Sequence, residues 1–283
     1  MSPLFGPAGN CEDFAAAGYK HTKQMPAFLK SWGLSAYEYQ CGRGVRLSTD
    51  TADSLKRESE ANGITLSLHA PYFISLASAD PAKRDNSLQY ILDSAKAVTM
   101  LGGTRIVVHP GGLGGVSREE ATQIASDTLR RAQALLDEEG YSQVHICPET
   151  MGKINQLGDL EEIMTFCQID ERFLPCIDFG HLNSRTHGSL NSKEAYAEVL
   201  DTIKNRLGEE RVQNFHSHFS KIMYTDGGEK KHLTFEDTEY GPDPQTLMEL
   251  IAERGYHPTF ICESAGTQTR DAASLCKFYK EAL

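Results

Sequence analysis

No uninterrupted apolar run in the 283 residues approaches the roughly 20 that a membrane-spanning helix needs. The opening, Met-Ser-Pro-Leu-Phe-Gly-Pro-Ala-Gly, has neither a basic flank nor a long apolar core, so it does not read as a secretion signal. Paired cysteines are missing as well. The seven are dispersed, odd in number and never spaced Cys-x-x-Cys, and Cys147, Cys176 and Cys262 fall inside apolar runs. That pattern excludes a disulfide framework and a cysteine zinc site, and predicts buried thiols in a reduced, cytoplasmic protein. Positive charge is scarce: 28 Lys and Arg stand against 39 Asp and Glu, a formal net charge of −11. Any attraction to a polyanion must then come from a local basic surface or from bound cations. There is no internal repeat, no low-complexity tract and no linker, so residues 1–283 read as one domain.

What is present is alternation. Short apolar runs at 4–6, 35–39, 64–69, 104–109, 144–149, 174–178, 212–218 and 258–263 read as strands. Amphipathic patterns at 87–101, 118–139, 193–207, 244–254 and 269–282 read as helices; Ile91, Leu92, Ala95 and Val98 share one face of the first. Strand and helix alternating eight times predicts an α/β fold, a (β/α)8 TIM barrel. The polar, glycine-containing stretch 223–240 reads as a functional loop after the seventh strand.

The strands end alike. The third closes on His69, the fourth on His109, the fifth on Glu149, the seventh on His216-Ser-His218 and the eighth on Glu263. The sixth, Leu-Pro-Cys-Ile-Asp178, is followed past Gly180 by His181. That acid and imidazole suit a metal site, or equally a helix cap at Asp178 with a surface histidine. In a barrel all these positions share the C-terminal face, where active sites sit. Imidazole and carboxylate are ligands for zinc and manganese, and so many in one cleft imply more than one ion. Without a cation Glu149, Asp178 and Glu263 would repel, and some would have to take up protons. His145 lies too deep in its strand for the rim, and His21, His187 and His257 sit in polar or turn-like settings.

At these residues the sequence resembles the endonuclease IV family of apurinic/apyrimidinic (AP) endonucleases, and more distantly the wider xylose-isomerase-like barrels. The matching motifs are Leu-His69-Ala-Pro-Tyr72, Val-His109-Pro-Gly-Gly, Pro-Glu149-Thr, Ile-Asp178-x-x-His181, Phe-His216 and Glu263-Ser-x-Gly. The resemblance implies a cluster of two to three Zn2+ ions, with Mn2+ an alternative at one site. It assigns His69 and His109 to one ion, sharing Glu149 with a second that takes Asp178, His216 and Glu263. His181 would help to hold the third. Where the family has an Asp-x-His pair after the seventh strand, this chain reads Gly-Glu229-Lys-Lys-His232, so Glu229 and His232 become candidates one residue out of the family spacing. His218 stands where the family commonly has asparagine, and the first strand lacks the family's histidine and serine.

The implied reaction is in-line hydrolysis of the phosphodiester 5′ to an abasic site, leaving a 3′-hydroxyl, with Glu149 and Glu263 at its centre. The partner would be damaged double-stranded DNA, and the protein a monomer. Tyr72, with Phe73 beside it, stands where the family fills the gap left by the missing base. Arg43 and Arg46, and Lys221, Lys230 and Lys231, are candidate phosphate contacts. Two other readings compete: a metal-dependent sugar isomerase or epimerase on the same barrel, and a non-catalytic protein that binds damaged DNA.

Overall fold

The computed structural model describes residues 1–283, and the predicted barrel is there. Its parallel strands are β1 Leu4–Pro7, β2 Ala36–Gln40, β3 Thr65–His69, β4 Arg105–Val108, β5 His145–Pro148, β6 Cys176–Asp178 and β7 His216–Phe219. A hairpin of β8 Ile222–Thr225 and β9 Gly228–His232 follows, and β10 Thr259–Cys262 completes the ring. Two four-stranded halves, ordered β1-β10-β7-β6 and β2-β3-β4-β5, meet at single parallel bridges, Ala8 to Glu38 and Glu149 to Cys176. Closure leaves no open sheet edge. The first seam needs a glycine: a Cβ on Gly6 would stand 1.8 Å from the Ala36 carbonyl oxygen.

Helices begin where side chains can take up their free N–H groups. Ser117, Ser192 and Asp243 cap Arg118–Glu138, Lys193–Leu207 and Pro244–Arg254, close to the bounds read from the apolar periodicity. Helix Pro81–Met100 starts six residues before its apolar stripe, because Asp80 caps it and Pro81 fits the first turn. The periodicity also missed helices Thr49–Asn62 and Leu160–Cys167. No helix is long and apolar enough to cross a membrane.

A continuous core of 62 buried residues runs from Phe5 to Tyr279. Inside the barrel, Val107, Cys147, Leu174 and Cys176 form a separate apolar layer. Below it Arg105 ties the floor together, donating to Thr259 Oγ1 at 3.1 Å and to Asn214 Oδ1 at 2.7 Å. All seven cysteines are free and six are buried; burial pushes the Cys147 thiol up to about 12, so it stays protonated.

Phe260 is fully buried, stacked on Phe5 at 5.7 Å and edge-on to Phe215 at 6.2 Å. Phe260→Ala is expected to cost about 3–5 kcal/mol in urea denaturation; a loss under about 1 kcal/mol would show that β10 is not packed as described.

Candidate metal centre

Inward-facing positions alternate along each strand, so the last inward residue of each one reaches the C-terminal rim. His69, His109, Glu149, Asp178, His218 and Glu263 arrive there together, and their donor atoms fall into overlapping groups. In the first, Nε2 of His69, Nε2 of His109 and Oε2 of Glu149 form a triangle with edges of 3.2, 3.4 and 2.9 Å. A tetrahedral ion with bonds of about 2.0–2.1 Å sets its ligand atoms about 3.3 Å apart. The ring orientation is fixed from behind: His69 Nδ1–H donates to the Ala70 carbonyl at 2.8 Å, which leaves the Nε2 lone pair facing inward.

The second group contains Glu149, Asp178, Glu263 and His218. His218 Nδ1 lies 3.0 Å from Glu149 Oε1 and 3.5 Å from Glu263 Oε1. The cap expected at Asp178 is there, but the histidine expected at the surface is not, for His181 is buried. Asp178 Oδ1 caps the next helix, accepting from His181 N at 2.7 Å, while Oδ2 is buried with no hydrogen-bond partner. Glu149 Oε2 faces two imidazole nitrogens, His109 Nε2 at 2.9 Å and His69 Nε2 at 3.4 Å. A buried carboxylate oxygen without a donor, as Asp178 Oδ2 is, is costly, and a cation beside it removes the cost. By donor type and spacing, the residues present fit a metal centre.

His216 does not reach this group. Two residues behind His218 on the same face of β7, it sits one layer deeper and donates from Nε2 to Glu38 Oε2 at 2.9 Å. The motif Phe-His-Ser-His offers two same-face histidines, and nothing in one sequence says which meets the rim. Glu38 was not foreseen at all. It lies within β2, fully buried, in the stretch Ala-Tyr-Glu-Tyr-Gln; a carboxylate in the middle of a strand-like run was the signal.

The third group is His181, Glu229 and His232. His181 Nε2 is 3.5 Å from Glu229 Oε2, and His232 Nε2 is 3.8 Å from Glu229 Oε1. Behind them, His181 Nδ1–H donates to the Thr150 carbonyl at 2.9 Å and Ser220 Oγ lies 2.8 Å from His232 Nδ1. The stretch read as a loop is in part the β8–β9 hairpin, turned by Asp226-Gly227. Residues three apart on a regular strand face opposite ways, yet Glu229 and His232 meet. A register shift pairs Met223 with Lys231 and Tyr224 with Glu229, leaving Lys230 as the extra residue of a bulge. The bulge absorbs the one-residue difference in spacing. Gly152 admits the hairpin: a Cβ there would stand 2.6 Å from Glu229 Cβ.

Without a cation, this crowding is settled by protons. Burial raises Asp178, helped by Glu263 and Glu149. Burial also disfavours ionised Glu149, yet His218 and His109 hold it well below the ordinary carboxylate range. His181 is pushed up to about 10, since Asp178 and Glu149 outweigh its desolvation. These protons must leave as a metal enters.

The groups open into a cleft of about 330 Å3, which Tyr72 and Lys153 also line. Tyr72 is 57% exposed and stands over His69 and His109, with ring centroids 5.6 Å from each; Phe73 beside it is equally exposed. The loop after β2 reaches the same place, for Tyr72 N donates to Gly42 O at 3.1 Å, which brings Gly42, the neighbour of Arg43, to the mouth. Lys221 is turned inward to the Asp237 carbonyl, so it is not a free phosphate contact. Lys153 was missed, and it lines the cleft on a loop held by Arg118 and Arg185, which donate to the carbonyls of Ile154 and Gln156.

A barrel with this rim defines a class. The chain belongs to the xylose isomerase-like TIM barrel family, whose sequence profile matches residues 26–282. Within it, the endonuclease IV resemblance is supported by a "probable endonuclease 4" of Mycoplasma pneumoniae, 30% identical over 74% of this chain and 70% of that protein. An uncharacterized protein of Methanocaldococcus jannaschii is 32% identical over 89% of this chain and 90% of its own. Among solved structures, a D-tagatose 3-epimerase-like protein superposes with a TM-score of 0.72 at 20% identity, covering 99% of this chain and 96% of that one; at that identity the likeness concerns the fold.

Removing metal with a chelator is expected to destabilise the fold, and adding a divalent metal ion to restore about 2.7 kcal/mol at a free concentration one hundred times Kd, read as a rise in melting temperature. A melting temperature indifferent to both would leave the orphaned Asp178 Oδ2 without its cation.

Proposed function

We propose that the protein is a metal-dependent DNA repair endonuclease that cleaves the phosphodiester on the 5′ side of an abasic site to leave a 3′-hydroxyl. The observation that carries this reading is the set of three donor groups on one rim, two of them joined through Glu149. In this reading the first ion takes His69, His109 and Glu149, the second Glu149, Asp178, Glu263 and His218, and the third His181, Glu229 and His232. His218 takes the place first given to His216. Nitrogen and oxygen donors with no thiolate on the rim suit Zn2+, with Mn2+ admissible.

Bound divalent ions would supply Lewis acidity toward the phosphodiester and acidify a water nucleophile. The chain's own groups do the rest. Glu149 would give one oxygen to each of the first two donor groups, and Glu263, at the edge of the cleft, would bound the place where the scissile phosphate lies. Tyr72, exposed over the rim histidines, would enter the gap left by the lost base, where unstacking is cheapest. Lys153, with no carboxylate partner among the ion pairs, would meet the phosphate backbone together with Arg43. A cleft of about 330 Å3 would also hold a monosaccharide, and the sugar isomerase or epimerase reading rests on that and on the epimerase-like fold. The two exposed aromatics at the mouth and the third donor group favour DNA.

A duplex carrying one abasic-site analogue decides between them. Incision 5′ to the lesion is expected, with at least a hundredfold loss for Glu263→Ala, roughly what removing one charge-stabilising group costs. Lys153→Met is expected to raise KM more than it lowers kcat, and to flatten the salt dependence by about one phosphate contact. Metal-loaded protein that leaves the duplex intact and epimerises a ketose would overturn the nuclease reading.

A further inference from the structure

We propose that Glu38 is a positioning residue that decides which nitrogen of His218 faces the metal rim. The inference rests on the metal reading of that rim and adds a residue that no motif pointed to.

Glu38 is fully buried in the barrel interior, beneath the rim. Its Oε2 accepts from Ser67 Oγ at 3.0 Å and from His216 Nε2 at 2.9 Å. Its Oε1 accepts from Gln40 Nε2 at 3.1 Å and lies 3.0 Å from His218 Nε2. The backbone is held equally firmly, for Glu38 forms the β1–β2 seam with Ala8 and accepts from Gly9 N at 2.9 Å. A carboxylate so fully used cannot turn away.

An imidazole that binds a metal through one nitrogen keeps its proton on the other, and the partner of that proton orients the ring. His69 and His181 each give their Nδ1 proton to a backbone carbonyl and present Nε2. His218 is reversed. Its Nδ1 lies 3.0 Å from Glu149 Oε1 and 3.5 Å from Glu263 Oε1, and its Nε2 lies 3.0 Å from Glu38 Oε1, within ion-pair distance but off the hydrogen-bond direction. Each of the three keeps a partner behind its ring: His218 backs onto Glu38, while the Nδ1 of His181, given to the Thr150 carbonyl, also lies 3.3 Å from Asp178 Oδ2. The ionised Glu38 favours the Nε2–H tautomer and leaves the Nδ1 lone pair for the rim. As a stronger acceptor than a carbonyl, it also makes His218 the more basic ligand. The deep histidine acquires a purpose too: His216 and Ser67 take up Oε2 and so turn Oε1 toward His218.

Zinc affinities from competition with a chromophoric chelator test this on the whole protein and on Glu38→Gln, His218→Ala and the double variant. Glu38→Gln is expected to weaken one zinc class by about 10–100-fold and leave the others within about twofold. On the His218→Ala background it is expected to add nothing, which a merely structural role would not reproduce. Nitrogen-15 NMR of the zinc-loaded wild type needs no variant, should Glu38→Gln fail to fold: His218 Nδ1 is expected to carry the metal and Nε2 a slowly exchanging proton. Folded Glu38→Gln with unaltered affinities, or metal on Nε2, would overturn the role of Glu38 alone. A wild type that binds no zinc would overturn the metal reading and this inference with it.

Discussion

Carboxylates forced together in a dry place are the constraint from which the rest of this structure follows. Glu149 and Asp178 are fully buried, and Glu263 joins them on the same rim. Ionised acids so placed cannot be left to one another, and histidines alone answer the repulsion only by holding protons they would otherwise release. Cations answer it more completely, because each can accept lone pairs from several donors at once. The orphaned Asp178 Oδ2 marks where such an ion would be wanted.

The barrel meets this constraint with backbone geometry. Its two halves are joined by single bridges, and each bridge contains a buried acid, Glu38 at one seam and Glu149 at the other. Where no strand end could supply a donor, a hairpin does so. The β8–β9 ribbon lies against the loop after β5, bridging Lys153 to Gly228, and its bulge turns Glu229 and His232 to the same side. Gly152 and Gly6 remove the side chains that would hold these segments apart.

Much of this was legible in the sequence, and the limits have physical causes. An apolar run ending in histidine or carboxylate marks both a buried strand and the rim, so the eight barrel strands and most of the donors could be read together. Depth could not. His216 and His218 have the same period-two signature, and only the register of β7 against β6 and β10 separates the deeper one from the one at the rim. Glu38 was hidden because β2 ends on Gln40, with no donor there to draw attention. The hairpin was missed because its turn, Asp226-Gly227, was read as part of a polar loop, and a bulge leaves no periodic trace.

Diffraction data collected on either side of the zinc absorption edge, from protein crystallised with Zn2+, would test the central claim most directly. Anomalous peaks are expected within the triangle of His69, His109 and Glu149 and between Glu149, Asp178, His218 and Glu263, with a third at His181, Glu229 and His232. A map with no peak on this rim, the histidines and carboxylates pairing only with each other, would contradict it.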